Sequence, residues 1–282
     1  VNVRIHPHDD ARYAELFQDA FALRRAVKVF GNQRVILERL DRSQAEEGVL
    51  SGSLARFTEI DPDLPWFNAE RFERADESEV AKVSIPSELR PNYVSVFFQL
   101  SLGDHLFVFE SRGTSGSLSP RSALMFLDNL LNSDELVQKY GSASVSLVSD
   151  KDQLDAVIGM HRLRKLEILV KRPNPDDLGS YDAIMERRLL DQGAASVRVE
   201  YEASAHETIK PDENTRKLAE SATRNGLVKA EGSDATGRRV VRSTDDHPAL
   251  EGERYDPALR TEQQAFRSAA TNILKRFLSF RV

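Results

Sequence analysis

Hydrophobic and polar positions follow two rhythms along this chain, and the change of rhythm divides it. Val1, Val3 and Ile5 alternate with polar residues and predict a short strand. Asp9 or Asp10 then caps a helix, because Tyr13, Leu16, Phe17, Ala20 and Phe21 recur at helical spacing. Strands are expected near 34–40 and 49–57, and the runs 93–102 and 106–110 flank Gly103-Asp104 as a hairpin. The Gly/Ser-rich stretch 112–119 leads into a helix with Ser119 as N-cap and Pro120 at its first position. Ala123, Leu127, Leu130 and Leu131 form the apolar face of that helix.

Beyond it, strands and helices alternate. Strands are expected at 143–148, 163–170 and 196–201. Asp150 and Gln153 form a capping box for a short helix ending at Gly159. Asn174-Pro175 opens a second helix that Gly193 closes, and a third covers 211–225. The runs 227–231 and 238–243 make another hairpin, and 260–280 is an amphipathic helix carrying Phe266, Ala269, Ile273, Leu274 and Phe277 on one side. The expected fold class is α+β, with a β-rich N-terminal half, strand–helix alternation in the C-terminal half and a terminal helix. The Gly/Ser stretch sets the expected boundary between a β-rich domain over 1–116 and an α/β domain over 117–257, and the 248–257 segment reads as a linker to a helix over 258–282.

Composition narrows the chemistry. The 282 residues contain no cysteine, which excludes disulfides, thiolate metal sites and cysteine nucleophiles and fits a cytoplasmic protein. The longest uncharged apolar-rich run, 93–103, is too short for a bilayer span, and no apolar signal-like segment follows Arg4, so membrane insertion is not expected. Net charge is −6, but it is unevenly spread. Residues 41–80 hold eleven acids against four arginines, whereas 208–242 hold eight bases against five acids. The last 25 residues, 258–282, hold five bases and one acid.

No catalytic constellation stands out, and neither a catalytic residue nor a cofactor is expected. His6-Pro7-His8-Asp9-Asp10 is the most metal-like string, but the other four histidines are scattered, and a strand end followed by a helix cap explains it. The strings Glu167-Ile-Leu-Val-Lys171 and Glu79-Val-Ala-Lys82 have the wrong spacing for a metal-dependent nuclease. The glycine-rich stretch lacks a P-loop ending and a dinucleotide fingerprint. It is still a candidate for one phosphate, contacted by Arg112, Ser117, Ser119 and Arg121 at a helix N-terminus.

The leading candidate is the helix and basic hairpin between 211 and 243. Arg216, Lys217 and Arg224 on the helix and Lys229, Arg238, Arg239 and Arg242 on the hairpin read as a nucleic-acid-binding surface that tracks a phosphate backbone. A nuclease holding metal through His6 and His8 is the alternative. A third reading is a protein-interaction partner that docks through the acidic loop around Trp66. The apolar stripe of the last helix is expected to join two chains as a homodimer, placing two basic hairpins on one nucleic acid.

A resemblance adds context. Arg4-Ile-His-Pro-His8, Phe57-Thr-Glu-Ile-Asp-Pro-Asp63, Pro65-Trp-Phe-Asn68, Ile85-Pro-Ser-Glu-Leu-Arg-Pro-Asn92, Ser117-Leu-Ser-Pro120 and Arg172-Pro-Asn-Pro-Asp-Asp177 resemble a bacterial domain-of-unknown-function family of about this length, over residues 1 to 257. In layout, the β-rich first half, the strand Leu166–Lys171 running into Pro173 and the basic C-terminal part are similar to antiphage DNA-binding proteins of the Rex A and Kiwa B kind. That likeness implies a dimeric DNA-binding protein of phage defence. Together with the basic hairpin it leads to the expectation of a non-enzymatic binder of DNA (or RNA), with a protein of the same defence operon as a candidate partner.

Overall fold

A computed structural model describes every residue except 7, 8, 62, 150, 174–179 and 279–282. The expected capping residue Asp150, the helix opening at Asn174-Pro175, His8 and Phe280 lie outside the described residues.

The first unit begins with β1 (Asn2–Arg4) and α1 (Asp10–Ala22). Asp9 is extended and its carboxylate accepts the amides of Ala11 and Arg12 at 2.8 and 3.3 Å, which fixes where α1 starts. Then come β2 (Val27–Phe30), β3 (Gln33–Asp41) and β4 (Val49–Thr58). An acidic arm follows, holding the short β5 (Phe67–Asn68), β6 (Glu73–Arg74) and α2 (Glu77–Val80). The hairpin β7 (Val94–Ser101) and β8 (Leu106–Phe109) turns at Gly103-Asp104, as the alternation of its flanks requires. A strap of paired β9 (Arg112–Gly113) and β10 (Gly116–Ser117) leads into α3 (Pro120–Leu131), α4 (Asp134–Tyr140) and β11 (Ser144–Ser146).

Seven of these strands form one antiparallel sheet in the order β11-β1-β8-β7-β4-β3-β2. One face is covered by α1, α3 and α4, and the buried side chains there form a single cluster that includes Val3, Phe17, Leu54, Phe98, Phe107 and Phe126. The rings of Phe98 and Phe107 stack at 4.9 Å. Because a strand sends alternate residues to opposite faces, Val94, Val96, Phe98 and Leu100 enter this cluster while Ser95, Phe97 and Gln99 face the other way.

The second unit contains α5 (Lys151–Ile158), β12 (Arg162–Lys171), α6 (Ser180–Asp191), β13 (Ser196–Glu202), α7 (Glu213–Asn225), β14 (Gly226–Ser233) and β15 (Arg239–Ser243). Its antiparallel sheet runs β13-β12-β14-β15. Leu166, Ile168, Val170, Val228 and Ala230 pack with Leu154, Val157, Met185, Leu218 and Ala222 from the helices. The opposite face is a ladder of charges, with Lys165 to Glu200 at 3.0 Å and Arg198 to Glu167 at 3.3 Å.

Two features differ from expectation. The division between cores falls after β11, because α3, α4 and β11 complete the first cluster, rather than at the Gly/Ser stretch 112–119. The last helix, α8 (Glu262–Leu278), covers the second face of the first sheet: Phe266 meets Phe97 at 6.0 Å between ring centres, and Ala265, Phe266, Ala270, Ile273 and Leu274 are buried. The stripe expected to join a second chain is thus satisfied within this one.

A polar seam fastens the units together. Arg4, buried on β1, donates to Asn225 Oδ1 at the end of α7 and to the carbonyl of Arg172 at 3.4 Å. Lys171 Nζ donates to the carbonyl of Val145 at 2.6 Å, and Ser146 Oγ to that of Arg224 at 3.2 Å. Burial pushes the Lys171 ammonium below its ordinary range, with Arg4 nearby adding to the shift against the opposing pull of Asp128 and Asp245.

Candidate nucleic-acid interface

The helix and hairpin place each of their seven candidate cations beside a partner. Lys217 lies 2.6 Å from Glu213, Arg216 lies 3.5 Å from Asp155, and Arg224 is paired with the buried Asp182 of α6. On the hairpin, Arg239 lies 2.9 Å and Lys229 3.6 Å from Glu231, and Arg238 lies 3.5 Å from Asp234. Arg242 donates to the carbonyl of Ala156 on α5. The register explains that last contact. Arg242 stands opposite Ala230, on the helix-covered face, whereas Arg239 stands opposite Ser233, on the open face. The three hairpin arginines therefore do not form one cationic track.

A different cationic cleft lies where the first sheet runs out from under α3. It encloses about 310 Å³ between β2, β3, β4, β10 and the first turns of α3. Gln33, Arg56, Arg121, Ser117, Ser119 and Ser122 supply its polar lining, and Val29, Phe30 and Met125 its apolar lining. No carboxylate is among the lining residues. Beyond the lining, Arg121 exerts its field on Asp245, whose carboxyl burial nonetheless pushes up.

Arg56 owes its place to strand alternation. Leu50, Gly52 and Leu54 point to the helix-covered face of β4, and Arg56 occupies the next position on that face, opposite Val35 and Val94. Its Nε is shielded from solvent and makes no hydrogen bond among the described residues. Phe30 stands near the tip of the β2–β3 hairpin, 74% exposed. A ring this exposed at the edge of a cationic cleft offers a base a surface to stack on.

The phosphate-binding residues expected from the Gly/Ser stretch are divided by the strap itself. Ser117, Ser119 and Arg121 line the cationic cleft, while Arg112 lines a separate cavity on the other side. Backbone amides contribute less than a bare helix N-terminus would. Pro120 has no N–H, and Ser119 Oγ accepts the Ser122 amide at 3.1 Å. The guanidinium groups of Arg56 and Arg121 therefore carry the electrostatics of the cleft.

His6 belongs to the seam between units. Its Nε2 accepts from Arg172 Nε at 3.1 Å, an arrangement that commits that nitrogen to an arginine. Among the described residues no group of three His, Asp or Glu side chains is placed to hold a metal ion. In the acidic arm, Phe67 and Phe72 meet edge to face at 6.3 Å and remain largely exposed, while Arg71 is clamped by Glu73 and Glu79 at 2.9 and 2.5 Å.

The family model described as a domain of unknown function, DUF4747, matches residues 1–271. The chain belongs to that family. The DUF4747 match takes in both sheets and most of α8, so the helix lies within the family's domain rather than being appended to it. No curated protein matches the chain. Among the described residues, no helix is long and apolar enough to cross a membrane.

Proposed function

We propose that this DUF4747 protein binds single-stranded nucleic acid, DNA or RNA, in the cytoplasm as a non-enzymatic component of bacterial phage defence. The observation that carries the binding reading is the cleft under α3. It combines two guanidinium groups, hydroxyls, no lining carboxylate and an exposed phenyl ring at one edge. Arg56 and Arg121 are suited to a phosphate, and Phe30 to the neighbouring base. A duplex buries its bases in the stack, so a stacking platform of this kind favours a single strand. The placement in phage defence rests on the likeness of layout to Rex A and Kiwa B proteins. The proposed mode does not require a dimer.

Fluorescence anisotropy with labelled single- and double-stranded DNA and RNA, across a salt series, tests this reading. Single strands should bind more tightly, with affinity falling as salt rises. Product gels run with and without magnesium or manganese should show intact oligonucleotide. Absence of binding, or binding unaltered by Arg56→Ala with Arg121→Ala, overturns the assignment of the cleft, and metal-dependent cleavage restores the nuclease alternative.

A further inference from the structure

On the other side of the β9–β10 strap lies a second cavity of about 340 Å³, bounded by β8, the 248–255 segment and α8. Its volume falls within the range of about 300–1,000 Å³ common for small-molecule sites. Leu106, Val108, Leu250, Ala269, Ile273 and Phe277 contribute to an apolar wall. Exposed Arg112, Thr114 and Leu250 mark where it opens to solvent.

Two carboxylates meet at the strap. A Cβ on residue 113 would stand 2.8 Å from Glu110 Oε2 and 2.9 Å from Glu262 Oε1, so both carboxyl groups converge on the space beside Gly113. Glu262 accepts the amide of Thr114, and its other oxygen accepts Thr114 Oγ1 at 2.7 Å. Glu110 accepts the amide of Phe97 at 3.4 Å. Neither carboxylate has a cationic partner among the described residues. By contrast, Glu253 and Glu251 in the same lining are paired with Arg260 at 3.0 Å and Arg276 at 3.7 Å. Burial raises the Glu110 carboxyl above its ordinary range and the neighbouring Glu262 adds to the shift.

We propose that this cavity binds a small amphipathic cation, with its apolar chain along α8 and its primary ammonium between Glu110 and Glu262. An ammonium has donors enough for both carboxylates and no acceptor for them to repel. It supplies the missing positive charge, while the chain gains by leaving water for the apolar wall. A carboxylate of the same chain length meets two like charges and is refused. An alcohol keeps the apolar contacts but lacks the charge. The inference is independent of nucleic-acid binding, because the strap separates the two sites.

Titration of the full chain with n-octylammonium, 1-octanol and octanoate, followed by calorimetry, tests it. Octylammonium should bind at least about tenfold more tightly than octanol, and octanoate should give no measurable heat. Glu110→Gln with Glu262→Gln should reduce octylammonium to the level of octanol and leave octanol unchanged. Ala269→Phe, which fills the cavity, should abolish binding of both. Equal binding of the three probes to the unaltered protein, or none, overturns the proposal without recourse to any variant. Octylammonium binding that survives Ala269→Phe in a protein that still unfolds cooperatively identifies surface adsorption and overturns it as well.

Discussion

The hairpin β14–β15 and the cleft under α3 both carry arginines, and they use them in opposite ways. The hairpin has the higher density, with Arg238, Arg239 and Arg242 in five positions, yet Asp234, Glu231 and a backbone carbonyl of α5 engage them. The cleft has only Arg56 and Arg121 but no carboxylate in its lining. Cation density along a sequence therefore does not measure the positive field a phosphate meets. What counts is how many cations remain without an acid after the strands have paired. Arg56 lies inside residues 41–80, the most acidic stretch of the chain, and folding separates it from those acids.

The sharpest way to break this comparison is to remove each set of arginines in turn. Arg56→Ala with Arg121→Ala should weaken single-strand binding roughly a hundredfold and make the salt slope shallower by about 1.4, as expected for two lost phosphate contacts. Changing Arg238, Arg239 and Arg242 together to Ala should cost less than about threefold in the same anisotropy assay. A reversed ranking would return the interface to the hairpin. Next in size, Phe30→Ala should weaken binding about tenfold through lost stacking while leaving the salt slope unchanged. A changed slope would mean that the ring acts by holding the cations rather than by stacking.

Smaller effects sharpen the role of the acids. Glu231→Gln releases Arg239 and Lys229 together, and should raise affinity by about twofold to threefold at low salt only. Acidification should not do the same near neutrality. The Arg239 guanidinium, by hydrogen bonding, holds the Glu231 carboxyl below its ordinary range, and the Thr236 hydroxyl does so for Asp234. A lowered carboxylate stays ionised until the pH falls beneath its ordinary range, and the pairing it supports is lost only there. The affinity difference between the unaltered protein and the triple-arginine variant should therefore stay flat from about pH 7 to about pH 5. A difference that widens within that window contradicts the pairing.

Local chemistry explains what could be read from the sequence. The Asp9 cap, the Ser119-Pro120 helix start and the turn at Gly103-Asp104 each depend on a few adjacent residues, and each is found where the pattern places it. The α+β class followed from the same patterns. Illegible features depend on distant partners. Nothing near α3 and α4 indicates that they cover strands from the first hundred residues, and the stripe of α8 reads alike whether it meets β7 or a second chain. The odd spacing of Arg239 and Arg242 does announce opposite faces, but which face is covered emerges only from the pairing of β14. Arg56 had one available signal: a lone cation at the fourth place in an alternation begun by Leu50, Gly52 and Leu54.

The position of β1 has a consequence for how the protein is made. This strand leaves the ribosome before every element it needs: β8 and β11 complete its ladder, and Asn225 and Arg172 receive the side chain of Arg4. At roughly 5–20 residues per second, Asn225 is added about 10–45 seconds after Arg4. β1 stays without a ladder partner until β8 and then β11 emerge, and Arg4 stays without Asn225 for the whole of that interval, so the first sheet cannot close strand by strand in order of synthesis. The hydrogen bond from Arg4 to Asn225 forms only once the second unit has emerged, which makes β1 one of the last strands to reach its native environment.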